Sequence, residues 1–141
     1  MRIESRARAR ALQALYAWEM RGGGAGGGKN LDRVATQVWD DLAVTPEERR
    51  LAGVLVRDVS NAGSELDSRL ADLTTNWRLE RLGAIERSVL RLGAAELMKG
   101  DTPPRVAIQE AVRLAERFGT SASAKFVNGV LDAFARQAGM I

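Results

Sequence analysis

Three groups of residues in this chain have the types and spacing to do chemistry. Gly23 through Lys29, inside GGGAGGGKN, fit G-x-x-x-x-G-K, the spacing of a loop whose backbone N–H groups cradle phosphates. Asp40-Asp41 and Glu47-Glu48 are paired carboxylates of the kind used in acid–base work. Arg6, Arg8 and Arg10 crowd the first turns of the chain, where guanidinium groups suit phosphates and bases. The first two groups lack what their chemistry needs. A phosphate loop follows a buried strand and carries a Ser or Thr after its Lys; here Asn30 takes that place and ALQALYAWEM before it has a helical pattern. Six of the seven residues 22–28 are Gly, so the match follows from composition, and a flexible loop is expected there. The acidic pairs fall at helix ends, where capping and the helix dipole favour carboxylates.

The chain has 141 residues, with no Cys and no His. Thiolate chemistry, disulfides and every His-based triad are therefore excluded, and neither a metal nor a cofactor is expected. No apolar run reaches membrane-spanning length and the N-terminus has no apolar signal core, so a cytoplasmic protein without membrane contact is expected. The net charge is +3, and all of that excess sits in residues 1–21, with five Arg against two Glu. Such asymmetry suits a chain that meets a polyanion at one end.

The elements that must position these residues are helices. Apolar spacing predicts about seven of them, an all-α chain of helical hairpins in a single domain spanning 1–141. The first runs from Ser5, as N-cap, to Met20. At about 100° per residue it places Ala7, Ala11, Leu15 and Trp18 on one side, flanked by Leu12 and Tyr16. Arg6, Arg10 and Gln13 gather on the other side, while Arg8 projects at the apolar edge. Asn30 opens a second helix with Leu31, Val34, Val38 and Trp39 as its stripe. Thr45, Pro46 and Glu48 form the signature of a capping box opening a third. A fourth starts near Ser64 and stops at TTNW; a fifth spans about 79–99, with Gly93 and Ala94 admitting a close neighbour. Asp101 or Thr102 caps the sixth, Gly119 stops it, and Ser121 or Ser123 caps the seventh.

Three stretches, RARARALQALYAW, AIERSVLRLGAAELM and PPRVAIQEAVRLAERFGTSASAKFVNGVLD, together resemble the NusB family of transcription antitermination factors, in that order and across essentially the whole chain. The resemblance implies two packed helical subdomains, and without His, Cys or a metal-binding set no enzymatic activity is expected. It also implies binding of boxA-type RNA together with the ribosomal protein NusE, within an RNA polymerase elongation complex containing other Nus factors. This sequence departs from the family pattern at Gln109, where Asn is usual, and in TSASA, which lacks an acidic residue carried by some members. GGGAGGGKN looks like a lineage-specific insert.

Residue roles follow from both lines. Arg6 and Arg8 match the family's Arg-rich helix start and Arg10 lies within it; all three suit phosphate contact or stacking beside unpaired bases, and as surface residues their loss would leave stability nearly unchanged. Gln13, one turn on from Arg10, either reads a base edge or is an uninvolved surface amide. Trp18 is expected in the core, whereas Tyr16 is either core or a stacking platform. Lys125 and Phe126 resemble family positions near RNA; Phe126 by itself would be a core residue. Asn128-Gly129 is expected to serve close helix packing. Glu80 and Glu86 lie where the family faces NusE, and simple ion-pair support of the helix is the alternative for each. Two other functions fit the same helices: a detached NusB-like RNA-positioning module related to RNA cytosine methyltransferases, and a protein-interaction module that binds no RNA. The lack of a methyltransferase domain counts against the first, and the charge asymmetry of helix one against the second.

Overall fold

Helical periodicity interrupted by Gly and Pro sets the element order. The computed structural model describes residues 2–22, 30–74 and 82–141. It contains helices α1 (Ile3–Met20), α2 (Leu31–Asp41), α3 (Pro46–Leu73), α4 (Ala84–Lys99), α5 (Pro104–Phe118) and α6 (Ser121–Gln137). No strand occurs among the described residues, and no helix is long and apolar enough to cross a membrane. The expected third and fourth helices are continuous in α3 except at Gly63, whose φ of 51° and ψ of −133° break the helical path. A positive φ costs Gly least, which is why the break falls there. The glycine tract from Gly23, Lys29, Glu80 and most of TTNW lie outside the described residues.

The helices gather in two compact units, residues 1–61 and 62–141. In the first unit, α1 opens at Ile3 with Arg2 as N-cap, three residues before the expected cap Ser5. Its alanine-rich stripe is buried as expected, with Ala7, Ala11, Leu12, Leu15 and Trp18 packed inside. Small side chains let α2 approach closely, and α2 buries Leu31, Val34, Ala35 and Trp39. The Trp39 indole N–H donates to the Arg10 carbonyl at 3.0 Å, so the largest ring of α2 is also satisfied. Arg49 closes the end of α2: it donates to the Trp39 carbonyl at 2.9 Å and the Val44 carbonyl at 2.9 Å, and pairs with Asp40 at 2.6 Å. Orphan carbonyls at a helix C-terminus need such donors.

In the second unit, Leu66 and Leu70 of α3 are buried, as are Val89, Leu90 and Leu97 of α4, Ala107 and Leu114 of α5, and Val127, Leu131 and Phe134 of α6. Arg91 holds Asp67 in a two-pronged pair, Nε to Oδ1 at 2.9 Å and Nη2 to Oδ2 at 3.1 Å. The Arg69 guanidinium lies 4.2 Å over the Phe134 ring. Gly93 admits its neighbours as expected: a Cβ there would stand 2.7 Å from Leu131 Cδ1 and 3.2 Å from the Ala111 Cβ. Gly129 does not behave in the same way. A Cβ added to it would meet nothing within 4 Å among the described residues, so close packing against them does not account for it.

The caps differ in detail from the sequence expectation. Pro103 is the N-cap of α5, in place of Asp101 or Thr102, because Pro104 occupies the first helical position. Thr120 caps α6, with Ser123 completing a reciprocal capping box.

Candidate nucleic-acid interface

On α1, residues four and seven positions apart share a face. That spacing collects Arg6, Arg10 and Gln13, and all three sit at or near the surface. Arg10 Nη1 donates to Gln13 Oε1 at 3.2 Å. Both arginines converge on a single carboxylate: Arg10 Nε is 3.5 Å and Arg6 Nε 3.7 Å from Glu48 Oε1. The Glu48 side chain is only 8% exposed, against 29% for Arg10 and 44% for Arg6. Thr45 Oγ1 donates to Glu48 Oε2 at 3.0 Å and accepts from the Glu48 backbone N–H at 3.3 Å. The carboxylate is thereby fixed at the start of α3. It orients two guanidinium groups while neutralising one of their two charges.

Glu48 was missed as part of this face, being accounted for by its capping spacing alone. A signal was present: Glu48 heads the i, i+4, i+8 row that continues through Ala52 and Val56, both buried. A carboxylate in that row points inward and demands a cation.

Arg8 stands elsewhere. It is 9% exposed, on the side of α1 opposite Arg6 and Arg10, where two residues of helix turn it by about 200°. The three arginines are not one solvated cluster, and the expectation that they could be removed without cost fails for that reason. Tyr16 is 38% exposed and Trp18 is buried, so of the two rings Tyr16 alone is presented at the surface.

The remaining candidates lie in the second unit. Lys125 is exposed in the second turn of α6 and Phe126 beside it is half-buried. Glu86, half-buried in the first turn of α4, accepts from Ser123 Oγ at 2.6 Å, which ties the openings of α4 and α6 together. It does so through a serine and not through the arginine partner that helical spacing suggested. The carboxylate pairs are also committed or dispersed: Asp40 to Arg49, Glu48 to Arg6 and Arg10. Among the described residues no group of His, Cys, Asp and Glu could hold a metal ion.

An all-helical chain with an arginine face ordered by a buried carboxylate belongs to the class of helical binding factors. The comparisons with known proteins make that class specific. The NusB family model matches residues 5–136, and the chain belongs to the NusB family. It is 41% identical over 142 residues to a transcription antitermination protein NusB of Sorangium cellulosum, covering 100% of this chain and 97% of that one. It is 40% identical over 129 residues to the NusB of Anaeromyxobacter dehalogenans strain 2CP-1, covering 91% and 87%. A solved structure of the antitermination factors NusB and NusE in complex with double-stranded RNA aligns with a TM-score of 0.83 at 31% identity, covering 97% of this chain and 98% of that one. The Sorangium and Anaeromyxobacter relatives are named as transcription antitermination proteins, and this chain is a non-enzymatic member of their family.

Proposed function

We propose that this protein is a transcription antitermination factor that binds boxA-type single-stranded RNA jointly with NusE and tethers it to the RNA polymerase elongation complex with other Nus factors, in the cytoplasm. The observation that carries this reading is the pair Arg6 and Arg10, held on one face of α1 by the buried Glu48 and continued by Gln13. Guanidinium groups fixed in advance lose less entropy on meeting phosphates than free ones. Tyr16, at the edge of that face, offers a ring on which an unpaired base stacks. Arg8 contributes from the buried side by fixing α1. On the second unit, Lys125 and Phe126 supply a further phosphate contact and a partly open ring. Glu80 and Glu86 are assigned to the NusE side, where Glu86 offers a basic partner the part of its carboxylate not engaged by Ser123.

Family membership and the RNA-bearing NusB–NusE neighbour support the reading. The test is titration of labelled boxA RNA into the protein with and without NusE. Binding alone should be weak, because the face offers few phosphate contacts, and it should tighten when NusE is present. Absence of RNA binding in both conditions would leave the protein-interaction module as the function.

A further inference from the structure

Arg10 on α1 is engaged on two sides by this chain. Its Nε lies 3.5 Å from Glu48 Oε1, and its Nη1 donates to Gln13 Oε1 at 3.2 Å. Glu48 is itself buried, and the Thr45 hydroxyl donates to its second oxygen at 3.0 Å. Within the first unit these side chains form one relay, from Thr45 to Glu48 to Arg10 to Gln13. Its last member is half-buried on the basic face of α1, one turn before the exposed Tyr16.

The relay decides which end of the Gln13 carboxamide faces outward. A carboxamide has an acceptor oxygen and a donor nitrogen, whereas a guanidinium has donors only. The oxygen, and not the nitrogen, must therefore meet Arg10. The Nε2 donors make no hydrogen bond among the described residues and are left for another molecule. An unrestrained glutamine pairs with adenine through both ends: its nitrogen donates to a ring nitrogen and its oxygen accepts from the amino group. With the oxygen committed beside a cation, that two-pronged pairing is denied. What remains is donation to an acceptor, such as the keto oxygen of uracil or guanine.

We propose that Arg10 is a positioning residue that makes Gln13 a one-way donor, so that the α1 face selects a keto base over adenine. The inference rests on the RNA-binding function proposed above and assigns the base preference of that face. Arg6 lies two turns before Gln13, and its contribution is to phosphates, which carry no sequence information. Tyr16 offers its ring to whichever base is bound, because stacking tolerates every base. The choice of base falls to Gln13.

The test uses the full chain with NusE and fluorescently labelled oligo(U) and oligo(A) of equal length, read by anisotropy. The quantity compared between variants is the ratio of the two affinities, which cancels differences between the strands themselves. Arg10→Met keeps the aliphatic stem and releases the Gln13 oxygen, so the ratio should shift toward oligo(A) by about threefold or more, the net effect of one hydrogen bond. Arg10→Lys still donates to that oxygen and should keep the ratio, while Arg6→Ala should weaken both strands by the same factor. Gln13→Leu leaves Arg10 paired with Glu48 and should weaken oligo(U) more than oligo(A). If Arg10→Met weakens both strands equally, or Gln13→Leu leaves the ratio unchanged, the relay is overturned and the RNA function stands. If Gln13→Leu binds RNA as the wild type does and loses NusE, Gln13 meets the protein partner and the relay is again overturned. A wild type that binds neither strand with NusE present would remove the RNA function itself, and the relay with it.

Discussion

Arg10 of α1 and Glu48 of α3, 38 residues apart in the chain, meet at 3.5 Å, and the carboxylate of that pair is the buried member. The basic face proposed for RNA is thus built on an internal counter-ion. Stability and binding are coupled through it, and the coupling gives the first two expectations.

Glu48→Gln keeps the shape of the side chain and removes its charge. The fold should lose about 1–3 kcal/mol, because charged hydrogen bonds in a buried setting are replaced by weaker ones. Arg6 and Arg10 then lose the charge of the Glu48 carboxylate, so RNA affinity should become more salt-dependent. Urea unfolding and RNA titration across a salt series read both effects. An unchanged salt slope together with unchanged stability would remove Glu48 from the interface.

Arg6→Ala isolates binding from folding. Arg6 is the more exposed arginine of the face, and a screened ion pair of this kind contributes about 0–1 kcal/mol. Stability should hold while the salt slope of RNA binding drops by about 0.7, the value for one phosphate contact on a single strand. Changing Arg6, Arg8 and Arg10 together to Ala should in contrast lower the melting temperature clearly, since Arg8 is buried and the Glu48 carboxylate loses both arginines. A triple variant as stable as the wild type would contradict the internal role of these groups.

Ser123→Ala removes a side chain that serves two helices. Ser123 Oγ accepts from the Thr120 backbone N–H at 3.2 Å and donates to Glu86 at 2.6 Å. Loss of half a capping box and of a charge-assisted bond should cost about 1–3 kcal/mol. Thermal unfolding measures it. Glu86→Gln should be milder, because the amide oxygen still accepts from the serine. Equal losses in the two variants would show that charge, and not the bond, fixes the α4–α6 junction.

Gly93→Ala places a methyl group 2.7 Å from Leu131 Cδ1. Overpacking of this kind costs about 1–3 kcal/mol, more than the helix propensity gained. The melting temperature should therefore fall, although the same change in an exposed helix raises it. A stabilised Gly93→Ala variant would mean that α4 and α6 have room to separate.

Phe126→Ala addresses a ring that is half-buried. Full burial would make the loss about 3–5 kcal/mol, so a smaller loss is expected here. RNA affinity should fall as well if one face of the ring stacks on a base, by about 1–3 kcal/mol. Normal affinity in the folded fraction would assign Phe126 to packing alone.

Periodicity and punctuation were enough to find the helices. Apolar residues recurring every three or four positions mark the buried stripe of α1 wherever the helix packs, and the Gly and Pro stops at Gly100, Pro104 and Gly119 act through local backbone sterics. Gly93 was also recognisable, as a small residue inside a strongly apolar row. The caps were less so: Thr120 and Ser121 are both competent, and the choice between them depends on whether Ser123 can bond back to the capping residue.

Composition, charge placement and motif order alone fixed the helical class, the family and the end of the chain that carries the positive excess, because these are properties of residue order and of interactions within a turn or two. Packing decided which charges remain available. Arg6, Arg8 and Arg10 are equivalent as letters, yet the approach of α3 gives two of them a buried carboxylate, and the rotation of α1 buries the third. Glu86 and Ser123 are 37 residues apart, and nothing local links them. Gly93 and Gly129 are both helical glycines, one pressed against Leu131 and the other facing open space. Contacts between residues distant in sequence depend on where whole helices come to rest, which is why one-dimensional spacing left them undetermined.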